Sequence, residues 1–343
     1  MSNMEPKLTG NEKLVLWGLL EYPGLNDIEL SKKLGIRRRT VNTVKTRLKN
    51  NGVFSTLIIP DFNFLSCEIL TVLYATFNPL INYGDRKEGV KKIMECEEII
   101  HAYSTESEAF VVSISKNFTE FMKKASEILR FYEENNFIEK VTQVYFPLEI
   151  SEVRFFGFSG LLKTIFKLNV EREKRDEKLS NKIRLTKRNK KVLYALVKFP
   201  DARLSEIAGI TGIASHTVGR IKRKLLENGI INIFNVPNLD VLDCEMLALI
   251  HVKYKLNKIN DYENQPADVF KIRNDAESIS LSLFENYIDY KDYYNRKLEH
   301  LRENNLITEK PIVHLFPVKK LNIVKNFSFA PLVKKLIGVD AGF

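Results

Sequence analysis

Apolar residues recur at helical spacing near the start of the chain and again in its second half. Leu14, Val15, Leu16 and Leu19 form a stripe that ends at Pro23, and Val192, Leu193 and Leu196 repeat it before Pro200, which predicts a packing helix in each half. Short helical segments are expected at 27–34 and 204–211, each closed by a glycine (Gly35, Gly212) able to take the left-handed turn conformation. A third helix follows at once. Val41, Val44 and Leu48 lie on one face of it, as do Val218, Ile221 and Leu225 in the copy, so the opposite face must meet solvent or a ligand. Both copies stop at an Asn-Gly pair, and β-rich stretches at 53–59 and 230–236 supply a wing. Beyond Pro60 the pattern predicts strand 69–77, helix 86–95, strands 99–104 and 109–115, helix 118–134 and strand 141–146, the βαββαβ order of a ferredoxin-like fold. From Glu245 the same order is expected again, with a shortened first helix around Ala267 to Asn274, a strand from Ile279 to Phe284, a helix from Tyr290 to Glu303 and a strand from Ile312 to Phe316.

The two halves are copies. Residues 8–79 align without a gap to 185–256 at a constant offset of 177, with Leu8-Thr9, Pro23, Glu29, Gly35, Thr40-Val41, Lys45, Leu48, Asn51-Gly52, Pro60, Leu65 and Cys67-Glu68 all recurring. Similarity returns at the ends of the halves, where Val153, Phe156, Phe158, Leu161 and Lys163 match Val324, Phe327, Phe329, Leu332 and Lys334 at an offset of 171. The expected fold is therefore α+β: a tandem repeat of winged helix-turn-helix followed by a ferredoxin-like domain. The boundaries read as winged modules at 8–60 and 185–237, ferredoxin-like domains at 61–166 and 238–338, and a charged linker at 167–184.

Composition narrows the chemistry. The chain has 343 residues, 44% of them hydrophobic, and a net charge of +10, which favours a polyanionic partner. No run approaches the roughly 18 apolar residues of a membrane helix, and the first residues lack an apolar signal core. Three scattered cysteines (Cys67, Cys96, Cys244) fit a reducing interior; the expected location is the cytoplasm, with no membrane partner. The cysteines and five histidines (His101, His216, His251, His300, His314) share no metal-ligand spacing. Phosphate-binding, nucleophile-elbow and dinucleotide motifs are missing. No metal, cofactor or catalytic residue is expected, and the chain reads as a non-enzyme. The repeated Phe156/Phe158 and Phe327/Phe329 read as apolar plugs.

Position sharpens the charge. Residues 35–51 and 212–226 carry no acidic residue, and each spans the third helix of a winged module. The candidate contacts to duplex DNA are Arg37, Arg38, Arg39, Thr40, Asn42, Thr43, Lys45 and Thr46 in the first copy, and Ser215, His216, Thr217, Arg220, Lys222 and Arg223 in the second. Arg38, Arg39 and Arg220 suit guanine, Asn42 adenine, and Lys45, Lys222 and Arg223 phosphate.

Residues 185–252 resemble the start of an Lrp/AsnC transcription regulator, and the first repeat is a looser version. Thr217-Val218, Arg220-Ile221, Lys222-Arg223 and Gly229 match the family pattern. Ala214 stands where the pattern has a capping serine, with Ser215 expected to cap one residue later, while Arg37 and Thr43 depart from it in the first copy. The resemblance implies a regulator that reads promoter DNA in sequence-specific fashion, with ferredoxin-like domains that dimerise and, in many members, sense an effector. Two readers in one chain would form an intramolecular pseudo-dimer, and a homodimer through the ferredoxin-like domains is a further possible assembly. Where the family has a glycine and then an aspartate for an amino-acid pocket, this chain has Ser104-Thr105-Glu106-Ser107-Glu108 and Leu283-Phe284-Glu285-Asn286, so a small-molecule effector is not expected. Siroheme decarboxylases use the same pair of modules and are the alternative of another class. That activity implies paired His with Arg or Tyr near the middle strands, and only His101-Ala102-Tyr103 is suggestive. A protein-interaction scaffold with vestigial winged modules is the third reading.

Overall fold

The computed structural model describes residues 8–170, 184–255 and 265–338. Thr9 opens α1 (Gly10–Glu21): its hydroxyl accepts from the Glu12 N–H at 3.4 Å, and the Glu12 carboxylate accepts from the Thr9 N–H at 2.8 Å, a reciprocal cap. Asn26 and Glu29 repeat that device at α2 (Asp27–Leu34), which Gly35 closes at φ +65°. Then come α3 (Arg38–Asn50) and β1 (Phe54–Pro60). The ferredoxin-like part holds β2 (Ile69–Phe77), a 3-10 turn at Tyr83–Arg86, α4 (Lys87–Glu95), β3 (Ile99–Ser104), β4 (Glu108–Ser115), α5 (Phe118–Glu134) and β5 (Ile138–Pro147). A short β6 (Glu152–Arg154) and α6 (Phe158–Ile165) end the first repeat.

In the second repeat α7 (Lys187–Lys198), α8 (Leu204–Thr211) and α9 (Ser215–Glu227) precede β7 (Ile231–Pro237). These are followed by β8 (Met246–Lys253), β9 (Asp268–Arg273), β10 (Glu277–Phe284), α10 (Tyr287–Glu303), β11 (Ile312–Pro317), β12 (Asn322–Lys325) and α11 (Ala330–Ile337). The architecture is α+β, a winged helix-turn-helix followed by a ferredoxin-like fold, twice. One expected element is wrong: residues 267–274, read as a shortened helix, hold strand β9, and no helix is described between β8 and β9. Of the expected linker 167–184, residues 171–183 lie outside the described residues. No described helix is long and apolar enough to cross a membrane.

Each five-stranded sheet carries an edge strand from the other repeat. The orders are β12-β3-β4-β2-β5 and β11-β8-β10-β9-β6, so the tails at 153–166 and 319–338, assigned from the sequence to their own domains, pair elsewhere. The chain accordingly divides into two compact units, Met1–Leu57 with Val153–Glu177 and Ile233–Val318, and Ile58–Glu152 with Lys178–Asn232 and Lys319–Phe343. In the first unit α6 packs on α1, and the Asn235 amide donates to the Leu19 carbonyl at 2.8 Å. In the second, α11 packs on α7 and Lys190 caps its end at the Ile337 carbonyl, 2.9 Å away.

Both tails turn through a phenylalanine in the left-handed region, Phe156 at φ 56° and Phe327 at φ 41°. A bulky residue held there costs of order 1–3 kcal/mol. Ring packing offsets it: Phe156 lies 5.5 Å from Phe234, and Phe327 stacks on His101 at 3.7 Å. The next residue, Gly157, approaches β9 so closely that a Cβ would sit 2.5 Å from the Asp268 carbonyl oxygen. Gly157→Ala is expected to push β6 off the sheet at a cost of about 1–3 kcal/mol, read as a lower urea midpoint; an unchanged midpoint would show that the tail gives way freely.

Candidate functional site

The third helix of each winged module presents its cations outward. In α3 the buried face is Val41, Val44 and Leu48, while Arg37, Arg38, Arg39, Asn42, Thr43 and Thr46 are exposed and Thr40 and Lys45 half-buried. Two of these side chains are engaged: Asp27 of α2 accepts from Asn42 at 2.9 Å and from Lys45 at 2.8 Å. Burial would raise the Asp27 carboxyl, but those hydrogen bonds and the charges of Lys45 and Arg38 outweigh it and hold the group below its usual range. In α9, Ser215, His216, Arg220 and Arg223 are exposed and Thr217 and Lys222 half-buried; burial lowers the Lys222 ammonium. Ser215 does not cap this helix. Ala214 holds the N-cap position, no side chain caps it, and Ser215 is the first helical residue.

His101 and Tyr103 lie in an aromatic cage. His101 is buried, 4.3 Å from the Tyr103 ring and stacked on Phe327. Its Nδ1 accepts from the Phe327 N–H at 3.4 Å, and Nε2 has no partner. Burial pushes the imidazole down to about 3 and the Tyr103 phenol upward, so both are neutral at pH 7.

A second group, not singled out by the sequence reading, lies beneath α10. Asp268, Lys271 and Lys297 are 1%, 5% and 3% exposed. Asp268 Oδ1 accepts from Ser282 at 2.7 Å and from the Tyr293 hydroxyl at 2.8 Å, while Oδ2 has no partner. Lys297 Nζ donates to Tyr293 at 3.3 Å and Ser280 at 3.4 Å. Burial lowers both ammonium groups, with Asp268 opposing; Lys271 reaches about 8, helped by Lys297, Arg273 and Arg154. A buried lysine poised near neutrality beside an under-satisfied carboxylate is a proton-transfer arrangement.

The first repeat shows how unusual the group is. Strands β3 and β4 and helix α5 match β9, β10 and α10 in length, and each copy begins 169 residues on. Asp268, Lys271, Ser280 and Lys297 thus stand where Ile99, Ala102, Val111 and Ile128 stand in the first fold. The signal in the sequence was three charges at apolar positions, but it requires the register of β9, which had been read as helix.

No family model and no curated protein matches the chain. Among solved structures, siroheme decarboxylase NirDL in co-complex with an iron-uroporphyrin III analogue aligns over 96% of this chain and 99% of its own, with a TM-score of 0.53 and 12% identity. Another structure of NirDL gives 0.50 over 95% and 98%. An AsnC family transcriptional regulator from Agrobacterium tumefaciens aligns over 40% of this chain and 90% of its own, with a TM-score of 0.35 and 15% identity. The expectation of a non-enzyme is thereby overturned: the fold that runs through the chain from end to end is one that an enzyme, siroheme decarboxylase NirDL, also has.

Proposed function

We propose that the chain is an enzyme of the siroheme decarboxylase type, removing carbon dioxide from a carboxylated tetrapyrrole, with the buried group under α10 as its proton-transfer centre. The observation that carries this reading is the buried group of Asp268, Lys271, Tyr293 and Lys297 within a fold similar to NirDL over 96% of the chain. In the step, the bond between the carboxylate carbon and its neighbour breaks, carbon dioxide leaves, and the electron pair stays on the neighbouring carbon. The Lys271 ammonium delivers the proton that replaces the carboxylate. The Asp268 charge raises the proton affinity of Lys271 and the Lys297 charge lowers it. Buried charge that costs stability without being fully paired is what a catalytic group leaves behind.

The test is incubation of the full chain with siroheme and, separately, iron-uroporphyrin III, in the absence of oxygen. A tetrapyrrole absorbance band and loss of carbon dioxide by mass spectrometry are expected. Lys271→Met is expected to keep the band and slow the loss by about 10²–10⁴, with no fall in melting temperature. Wild-type protein that shows neither band nor mass loss overturns the proposal.

A second reading, sequence-specific binding of duplex DNA by the chain as a fused pseudo-dimer of Lrp/AsnC-type units, is favoured by a separate observation: Arg37, Arg38, Arg39, Arg220 and Arg223 are exposed in the acid-free stretches 35–51 and 212–226, at the place where winged modules meet the major groove.

A further inference from the structure

Between the sheet and the helical layer of the first ferredoxin-like fold lies a largely apolar cavity. Neither reading above uses it. Its walls include Ala75, Ala102, Ala109, Val111, Ala125 and Ile128. At the equivalent positions of the second fold stand Val252, Lys271, Ser278, Ser280, Tyr294 and Lys297, with Lys297 bonded to Ser280 across the layer. The same architecture is therefore bridged by polar side chains in one copy and lined by apolar ones in the other.

Polar side chains stand among the lining residues, their polar atoms buried. Arg86 is one of them and is 2% exposed. Its guanidinium lies 3.9 Å from the Phe77 ring centroid and 5.2 Å from that of Tyr83. Nη2 donates to the Glu106 carbonyl at 2.7 Å, whereas Nε and Nη1 have no partner. The Ser104 hydroxyl, on the strand that leads to Glu106, is buried in the same lining and also without a partner. Among the described residues no carboxylate hydrogen-bonds to this cation, although the Glu106 charge acts on it, and a buried charge left so is expensive unless something else pairs with it. The surface that faces the hollow is almost wholly apolar, although Glu98, Ser113, Ser115 and Lys124 also border it.

We infer that this cavity binds an apolar monocarboxylate, its hydrocarbon body under α5 and its carboxylate on Arg86 and Ser104. The inference rests on neither functional reading. An ionised carboxylate supplies the acceptor that the unpartnered donors lack, and charge-assisted hydrogen bonds in an apolar surround discriminate strongly against a neutral head.

Calorimetric titration of the full chain tests it, with decanoate and 2-naphthoate as aliphatic and aromatic probes and decanol and 2-naphthol as their neutral counterparts. At least one acid is expected to bind about tenfold or more tightly than its alcohol. Arg86→Met keeps an apolar chain of similar length and is expected to erase that preference while still binding the alcohol. Its melting temperature without ligand is expected to equal or exceed the wild type's, which an arginine with a purely structural role would not allow. Ala102→Lys, which puts into the hollow the residue type of the second copy, is expected to abolish binding of both probes. Lys271→Met, in the other fold, is expected to leave binding unchanged, which separates this site from the proposed enzymatic centre. Wild-type protein that binds no acid, or binds acid and alcohol alike, overturns the inference. So does an acid preference that survives Arg86→Met or binding that survives Ala102→Lys; should Arg86→Met not fold, the acid-to-alcohol ratio and Ala102→Lys decide.

Discussion

Asp268→Ile alone is expected to destabilise the second ferredoxin-like fold by about 3–5 kcal/mol, and adding Lys271→Ala and Lys297→Ile is expected to return most of that loss. The single change removes the carboxylate that opposes two buried ammonium groups and takes away the acceptor of the Ser282 and Tyr293 hydroxyls. The triple change installs Ile99, Ala102 and Ile128 of the first repeat at their equivalent positions, so the charges leave together. Urea unfolding followed by circular dichroism measures both; a single variant within about 1 kcal/mol of wild type would show that Asp268 does not compensate the lysines. Lys271 should also contribute stability that grows with rising pH. Burial lowers it to about 8 in the folded chain, against 10.5 otherwise. Between those values the unfolded chain holds the proton that the folded chain has lost, so its own contribution rises through that window by roughly 3 kcal/mol, opposed from about pH 9 by the buried thiols of Cys67 and Cys244, which burial pushes up to about 12. Below pH 8 both states are protonated and the burial cost is felt in full. Lys271→Ala should flatten this rise relative to the wild type.

The parts of this fold that are legible in the sequence are those written in local chemistry. Thr9 with Glu12, Asn26 with Glu29, and Gly35 and Gly212 announce helix ends, because a cap or a left-handed turn is decided within four residues. The stripe of Val41, Val44 and Leu48 gives the buried face of α3 for the same reason. Strand β9 is hard to read because charges stand at its buried positions; it shifts register against β10 between Leu281 and Ser282, but β3 has the same shift against β4 and is legible. The bulge interrupts the two-residue period and lets Asp268 and Lys271, three apart, belong to one buried group under α10. Charges at that spacing look like the polar face of a helix, and the candidate centre disappeared with the strand. The exchanged edges β6 and β12 are three and four residues long; their pairing with the other repeat is set by distant contacts that no local pattern records.

Changing Arg38, Arg39, Arg220 and Arg223 together to alanine is expected to weaken binding to a selected promoter duplex by about a thousandfold. Each arginine that reads a base or clamps a phosphate contributes about 1 to 3 kcal/mol, and the two pairs lie on separate helices, so the lower figure alone gives about 4 kcal/mol. All four are exposed, which leaves the cores of the winged modules untouched and the fold intact. Salt dependence separates the roles: losing a phosphate contact lowers the slope of log affinity against log salt by about 0.9, whereas losing a base contact relaxes one position of the site at nearly constant slope. Asn42 and Lys45 behave differently. They are tied to Asp27, so reaching DNA would break two hydrogen bonds first, and Asn42→Ala is expected to cost less than Arg39→Ala in the same assay. If the fourfold variant binds as tightly as the wild type at low ionic strength, the two helices do not read DNA, and their charge is a solvated surface.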